Sequence, residues 1–252
     1  MKKINLILLF VFGLFLVILN GCKKDKETRV FVASGHPAWA PIMYQEGNQI
    51  IGAGPEIADM IFKELDLKVL FPYEGLWDVV QAKTKSGEID MIVAAYKTAE
   101  RETYMDYSVI YTVDPVSIFV KKGKTFPFVN WNELLSKKGV VTTGDSYGQA
   151  FDQYIKNSLS VASVTTPDEA FNLLLTDQAD YFVYAYYSGT NYLTSKNLNS
   201  QIEVLSNYVS SENFYMCISK KSPLLVYLPK INSILERYKN DGTIDRVIQK
   251  YK

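Results

Sequence analysis

The chain has 252 residues in which 27 Lys and Arg balance 27 Asp and Glu, so it lacks the basic excess that nucleic-acid binding demands. With 48% hydrophobic and 13% aromatic residues it can fill one or two cores. One histidine and 2 cysteines leave no evident metal set, cofactor motif or histidine-centred triad.

Lys2 and Lys3 precede an apolar run over residues 6–19, within the range of a signal-peptide core and short for a membrane span. The run ends in Leu19-Asn20-Gly21-Cys22, which resembles the bacterial lipobox and makes Cys22 the lipidated residue; ordinary cleavage and a retained membrane helix are the alternatives. Residues 1–21 then read as a signal peptide, 22–28 as a charged tether, and the remainder as an extracytoplasmic, membrane-anchored body in the periplasm or at the cell surface. Loss of 1–21 removes Lys2 and Lys3 and no acid. If Cys22 carries lipid, Cys217 stands alone as a buried thiol in the apolar run 214–218.

Residues 30–33 predict a first strand, followed by a loop holding Pro37 and Pro41. Pro55 suits the first turn of a helix on which Ile57, Ile61, Phe62 and Leu65 recur at helical spacing. Leu67, Val69 and Phe71 alternate as a strand, and residues 76–85 form a helix with Leu76, Val79 and Val80 on one side. That helix feeds a short apolar strand at 91–95, and two helix-then-strand units in succession predict an α/β sheet with parallel pairing. Gly52-Ala53-Gly54 reads as a structural turn, because Pro55 interrupts a dinucleotide fingerprint and Ile57 stands at its third glycine.

The second half repeats this grammar. Residues 116–120 predict a strand, 131–135 a short helix, 140–143 a strand and 147–155 a helix. Thr166-Pro167-Asp168-Glu169 combines an N-cap, a first-turn proline and a capping-box glutamate, starting a helix to about residue 176. Residues 180–184 and 214–218 read as strands, and 224–239 and 243–251 as closing helices. SGEIDMIVAAY and TDQADYFVYAY echo one another, matching Asp90 to Asp180 and Tyr96 to Tyr186; two similarly built lobes and a shared βα grammar both explain the echo.

The segment 86–108, SGEIDMIVAAYKTAERETYMDYS, places Arg101 just beyond a buried-looking strand, at the sheet edge where open α/β folds bind ligands. A guanidinium matches a carboxylate in two-point geometry. Pairing with Glu100, Glu102 or Asp106 on the surface is the competing reading. Gly87, Ile89-Asp90, the apolar run, Tyr96, Thr98-Ala99-Glu100-Arg101 and Asp106-Tyr107-Ser108 together resemble the signature of the solute-binding proteins serving ABC importers of polar amino acids, solute-binding protein family 3. The likeness extends to residues 34–44, 50–65 and 234–252.

The resemblance implies an α/β, two-lobed periplasmic-binding-protein-like fold of type II, each lobe a mixed sheet flanked by helices. Lobe I takes residues 29–113 and 213–252, lobe II residues 114–212, with hinge strands near 111–117 and 211–215. It implies a monomer that captures an amino acid or related small carboxylate by lobe closure and delivers it to ABC permease subunits, with no cofactor. A cyclohexadienyl-dehydratase-like enzyme and a ligand-presenting sensory module are the alternatives on the same fold. Carried over by position, Arg101 grips the ligand carboxylate, Gly144 and Ser146 clamp it from the second lobe at a helix N-terminus, and Ala94 and Tyr96 line the site between Trp39 and Trp77 as ring walls. Two departures stand out: Ala185 and His36 occupy positions where the family usually carries acids for a ligand ammonium. A cation would then be held by the faces of Trp39, Trp77, Tyr184 or Tyr186, or by Asp145; a ligand without an ammonium is the other reading. His36 is expected at the surface or in a local hydrogen bond.

Overall fold

A computed structural model describes residues 29–252; the leader and Cys22 lie outside the described residues. No helix among the described residues is long and apolar enough to cross a membrane. The elements in chain order are β1 (Val30–Ser34), β2 (Ala38–Trp39), β3 (Met43–Glu46), β4 (Gln49–Ile51), α1 (Ala53–Glu64), β5 (Lys68–Leu70), α2 (Trp77–Ser86), β6 (Met91–Ala95), β7 (Met105–Tyr107) and β8 (Thr112–Lys121). They continue with β9 (Lys138–Thr142), α3 (Gln149–Ser158), β10 (Ser160–Val164), α4 (Pro167–Leu175), β11 (Tyr181–Ala185), α5 (Tyr186–Ser195), β12 (Ile202–Val204), β13 (Ser210–Ser219), α6 (Leu228–Asn240) and α7 (Thr243–Lys250).

Two lobes of like construction meet at a pair of long strands. The path of hydrogen-bonded strands runs β5-β1-β6-β13-β8-β11-β9-β10. On one side β1 lies parallel to β5 and β6 with β13 antiparallel to β6; on the other β9 lies parallel to β10 and β11 with β8 antiparallel to β11. The two crossing strands pair with each other from Ser210↔Val116 to Phe214↔Thr112; from Tyr215 onward β13 joins β6, with a register shift between Tyr215 and Cys217, and from Cys217 it also pairs with β7. The expected hinge strands thus lie side by side.

Local sequence explains the frame. Every residue of β6 and of β11 is buried, as a continuous apolar run between neighbours on both sides requires. In α1, Ile57, Ile61 and Phe62 are fully buried, each stabilising the fold by roughly 1.5–3 kcal/mol. Gly52 caps α1 at φ 122, and a Cβ there would stand 2.6 Å from the Ile42 carbonyl oxygen, so the Gly-Ala-Gly turn is structural. Thr166 accepts from the Glu169 amide while Glu169 accepts from the Thr166 amide, completing the expected capping box.

The echo between the halves has a physical basis. Asp90 Oδ2 accepts from Val32 N at 2.9 Å while Asp90 N donates to Val32 O; Asp180 Oδ2 accepts from Lys138 N at 2.7 Å while Asp180 N donates to Lys138 O. Each aspartate ties the strand it precedes to the parallel neighbour, at Val32 in the middle of β1 and at Lys138, the first residue of β9.

Three expectations need correction. The buried face of α2 is Trp77, Val80 and Thr84, whereas Leu76 and Val79 are exposed. The loop with Pro37 and Pro41 contains the small antiparallel sheet β2-β3-β4. The helix expected at 147–155 begins at Gln149, after a cap at Gly148.

Candidate functional site

The carboxyl ends of β6 and β9 face each other across the cleft between the lobes. Arg101, opening a single 3₁₀ turn (Arg101–Thr103) past β6, is only 5% exposed. Its Nε donates to Gln81 Oε1 at 3.0 Å, Nη1 to Tyr96 O at 3.1 Å and Nη2 to Gly144 O at 3.2 Å, and its guanidinium lies 5.3 Å from the Trp77 ring centroid. Glu102 pairs with Lys97 at 2.7 Å and Asp106 lies 3.8 Å from Lys220, and Arg101 is buried with its hydrogen bonds going to Gln81, Tyr96 and Gly144, so the surface-pair reading of Arg101 does not hold.

Around Arg101 lies a small cavity of about 20 Å³, roughly the space of one water. Trp39, Trp77, Ala94, Tyr96 and Ser146 line it, joined by Met43, Phe214, Ala95, His36 and Asp145. A wider space of about 390 Å³ shares Arg101, Asp145 and Ser146 with it and is bounded also by Gly144, Gln149, Asp152, Glu100 and Lys156. The turn after β9 makes this possible: Gly144 sits at φ +80, which carries its carbonyl oxygen to both Arg101 and Gln81 Nε2. Ala99 N donates to Gln149 Oε1 at 3.0 Å, and the Tyr184 hydroxyl donates to Ala38 O, adding further bonds across the cleft.

Behind the cavity wall stands Asp114, on β8 and 2% exposed. Its Oδ2 accepts from Trp39 Nε1 at 2.7 Å and from the Tyr96 hydroxyl at 2.9 Å, while Oδ1 has no hydrogen-bond partner. Burial pushes this carboxyl up to about 6, against the two hydrogen bonds that favour its charged form. Burial first, and then Asp114, hold the Tyr96 phenol well above its ordinary value, so it remains a donor. Burial likewise raises Asp152 and Glu212.

Three sequence expectations change here. Ser146 Oγ turns to Asp152, and Asp152 Oδ1 also takes the Tyr147 amide at 2.7 Å, so the Ser146 hydroxyl is engaged within its own turn, ahead of an α3 N-terminus that no side chain caps. Tyr184 does not line the cavity; its ring packs 5.4 Å from Trp39 and supports that wall from behind. Ala185 is fully buried in β11 opposite Val116 and is also outside the lining. His36, expected at the surface or in a local hydrogen bond, follows the second alternative: it is 6% exposed, accepts from Ala38 N through Nδ1 at 3.0 Å and turns Nε2 toward Asp145. Asp114 was invisible to sequence reasoning, because nothing local to a strand residue beside Pro115 announces that two distant rings will donate to it.

The family model of bacterial extracellular solute-binding proteins, family 3, matches residues 32–252. No curated protein matches the chain. Among solved structures, the chain is similar to an ancestral arginine-binding protein bound to glutamine, with 27% identity, a TM-score of 0.72, and coverage of 88% of this chain and 97% of that one. The arginine-, lysine-, histidine-binding protein ArtJ from Geobacillus stearothermophilus shares the fold at 24% identity and TM-score 0.73, covering 88% and 95%. So does a histidine kinase sensor domain with similarity to periplasmic binding proteins, at 18% identity and TM-score 0.75, covering 88% and 96%.

Proposed function

Because the chain belongs to the bacterial extracellular solute-binding proteins, family 3, we propose that it captures an amino acid in the cleft between its lobes and presents it to an ABC importer. The observation that carries this reading is the buried Arg101, whose guanidinium lies against Trp77 and lines the cavity between the lobes. Nε, Nη1 and Nη2 each make one bond within the protein, so the second hydrogens on Nη1 and Nη2 are available to a carboxylate. The similar ancestral arginine-binding protein bound to glutamine supports an amino acid as the ligand.

Lobe I comprises residues 29–113 and 213–252 and lobe II residues 114–212 in this reading, with β8 and β13 as the hinge. Contacts from both lobes favour closure by as much as the ligand binds the closed form better than the open one. Cys22 anchors the protein outside the cytoplasm through lipid. A thermal-unfolding screen of the purified protein against the common amino acids tests the binding role: at 100 times its Kd a ligand adds about 2.7 kcal/mol. The reading expects a rise in midpoint with at least one amino acid, and no rise with any of them would overturn it.

A further inference from the structure

We infer that Asp145 is the counter-charge for a cationic group on the ligand, so that the site selects a carboxylate bearing an ammonium over the same carboxylate without one. The inference rests on the cleft being the amino-acid site. Asp145 follows Gly144 in the turn after β9, and its side chain has 0% exposure. Thr142 Oγ1 donates to Oδ2. Oδ1 has no hydrogen-bond partner; His36 Nε2 approaches to 3.1 Å without the alignment of a hydrogen bond. A buried carboxylate oxygen left in that condition is costly unless something else comes to it.

The position of that oxygen says what would come. Asp145 and Arg101 line both the inner cavity and the wider space. Around them the charge is lopsided. Arg101 is the Lys or Arg side chain of the inner cavity, and Lys156 and Glu100 add one charge of each sign to the wider space; Asp114 and Glu212 stand opposite each other in the β8/β13 register and Asp152 lies behind Ser146. A plain carboxylate would satisfy Arg101 and add a further negative charge beside Asp145. A zwitterion satisfies Arg101 with one end and Asp145 Oδ1 with the other, and the rings of Trp39 and Trp77 offer π faces to the same ammonium. His36 accepts from Ala38 N through Nδ1, which leaves Nε2 as the ring nitrogen facing Asp145, 3.1 Å from Oδ1.

The test is isothermal titration of the purified protein with matched pairs: alanine and propionate, glutamine and 4-carbamoylbutanoate, arginine and 5-guanidinopentanoate. Wild type should prefer the amino acid of a bound pair by about 30-fold or more, and Asp145→Asn should reduce that preference at least tenfold. Binding of the desamino partner as tightly as the amino acid, or an unchanged preference in Asp145→Asn, would overturn the inference and leave the binding role standing. The wild-type comparison decides even if the variant fails to fold. If none of these three pairs binds, the amino acid that most raises the unfolding midpoint is titrated with its own desamino partner; absence of binding by every common amino acid would overturn the amino-acid role and the inference with it.

Discussion

Arg101 Nη2 donates to the backbone oxygen of Gly144 at 3.2 Å, joining the loop after β6 to the turn after β9 across the cleft. A residue proposed to hold the ligand is therefore also part of the contact between the lobes. The relationship depends on Gly144 standing at φ +80. Gly144→Ala places a side chain in a left-handed conformation at a cost of about 1 kcal/mol, with the new Cβ 3.3 Å from Gln81 Nε2. We expect affinity for the bound amino acid to fall by roughly fivefold in titration calorimetry, with the unfolding transition remaining cooperative.

Asp114 makes stability depend on pH in a defined direction. Its folded value of about 6 lies above the ordinary 3.8, so the native state holds a proton that the unfolded chain has released between those values. Stability should rise as pH falls from about 6 toward 4, and the penalty above 6 should saturate at about 3 kcal/mol. Denaturation curves of wild type and Asp114→Asn at several pH values isolate this contribution. Their difference should change across that window and stay level above it.

Tyr96→Phe removes one of the two hydrogen bonds that favour charged Asp114. We expect a loss of about 1–3 kcal/mol at neutral pH and an upward displacement of the pH window just described. Urea titrations at neutral and mildly acidic pH would detect both.

The paired aspartates should differ in weight because their surroundings differ. Asp90 is 2% exposed and also accepts from Arg29 at 2.8 Å and from Ser222 Oγ, whereas Asp180 is exposed. Asp90→Ala should cost about 3 kcal/mol or more and Asp180→Ala about 1 kcal/mol. Chemical denaturation reads both, and equal costs would mean that the shared backbone tie outweighs burial.

Most of the frame was legible in the sequence because its strands carry their own signal. The runs at β6 and β11 are apolar throughout, and Thr166 announces α4 through chemistry confined to four residues. Helix α5 was not legible: Tyr186–Ser195 is rich in aromatic and hydroxyl residues and contains Gly189, a poor helix former. A tertiary contact explains that glycine, since a Cβ would stand 2.1 Å from the Phe119 ring. Strands β2 to β4 are too short for period-two patterning to emerge. At the candidate site, motif position named Arg101, Trp39, Trp77 and Tyr96, which line one cavity, while the contacts of Asp114 and His36 arise from long-range partners.

The central claim is that the cleft binds an amino acid through Arg101. Its most direct test is the binding isotherm of the amino acid that most raises the unfolding midpoint, measured on wild type and on Arg101→Lys. Lysine keeps the charge and loses the planar fork. The account predicts a saturable isotherm for wild type and a loss of at least about 100-fold in the variant. Equal affinities in the two proteins would contradict it.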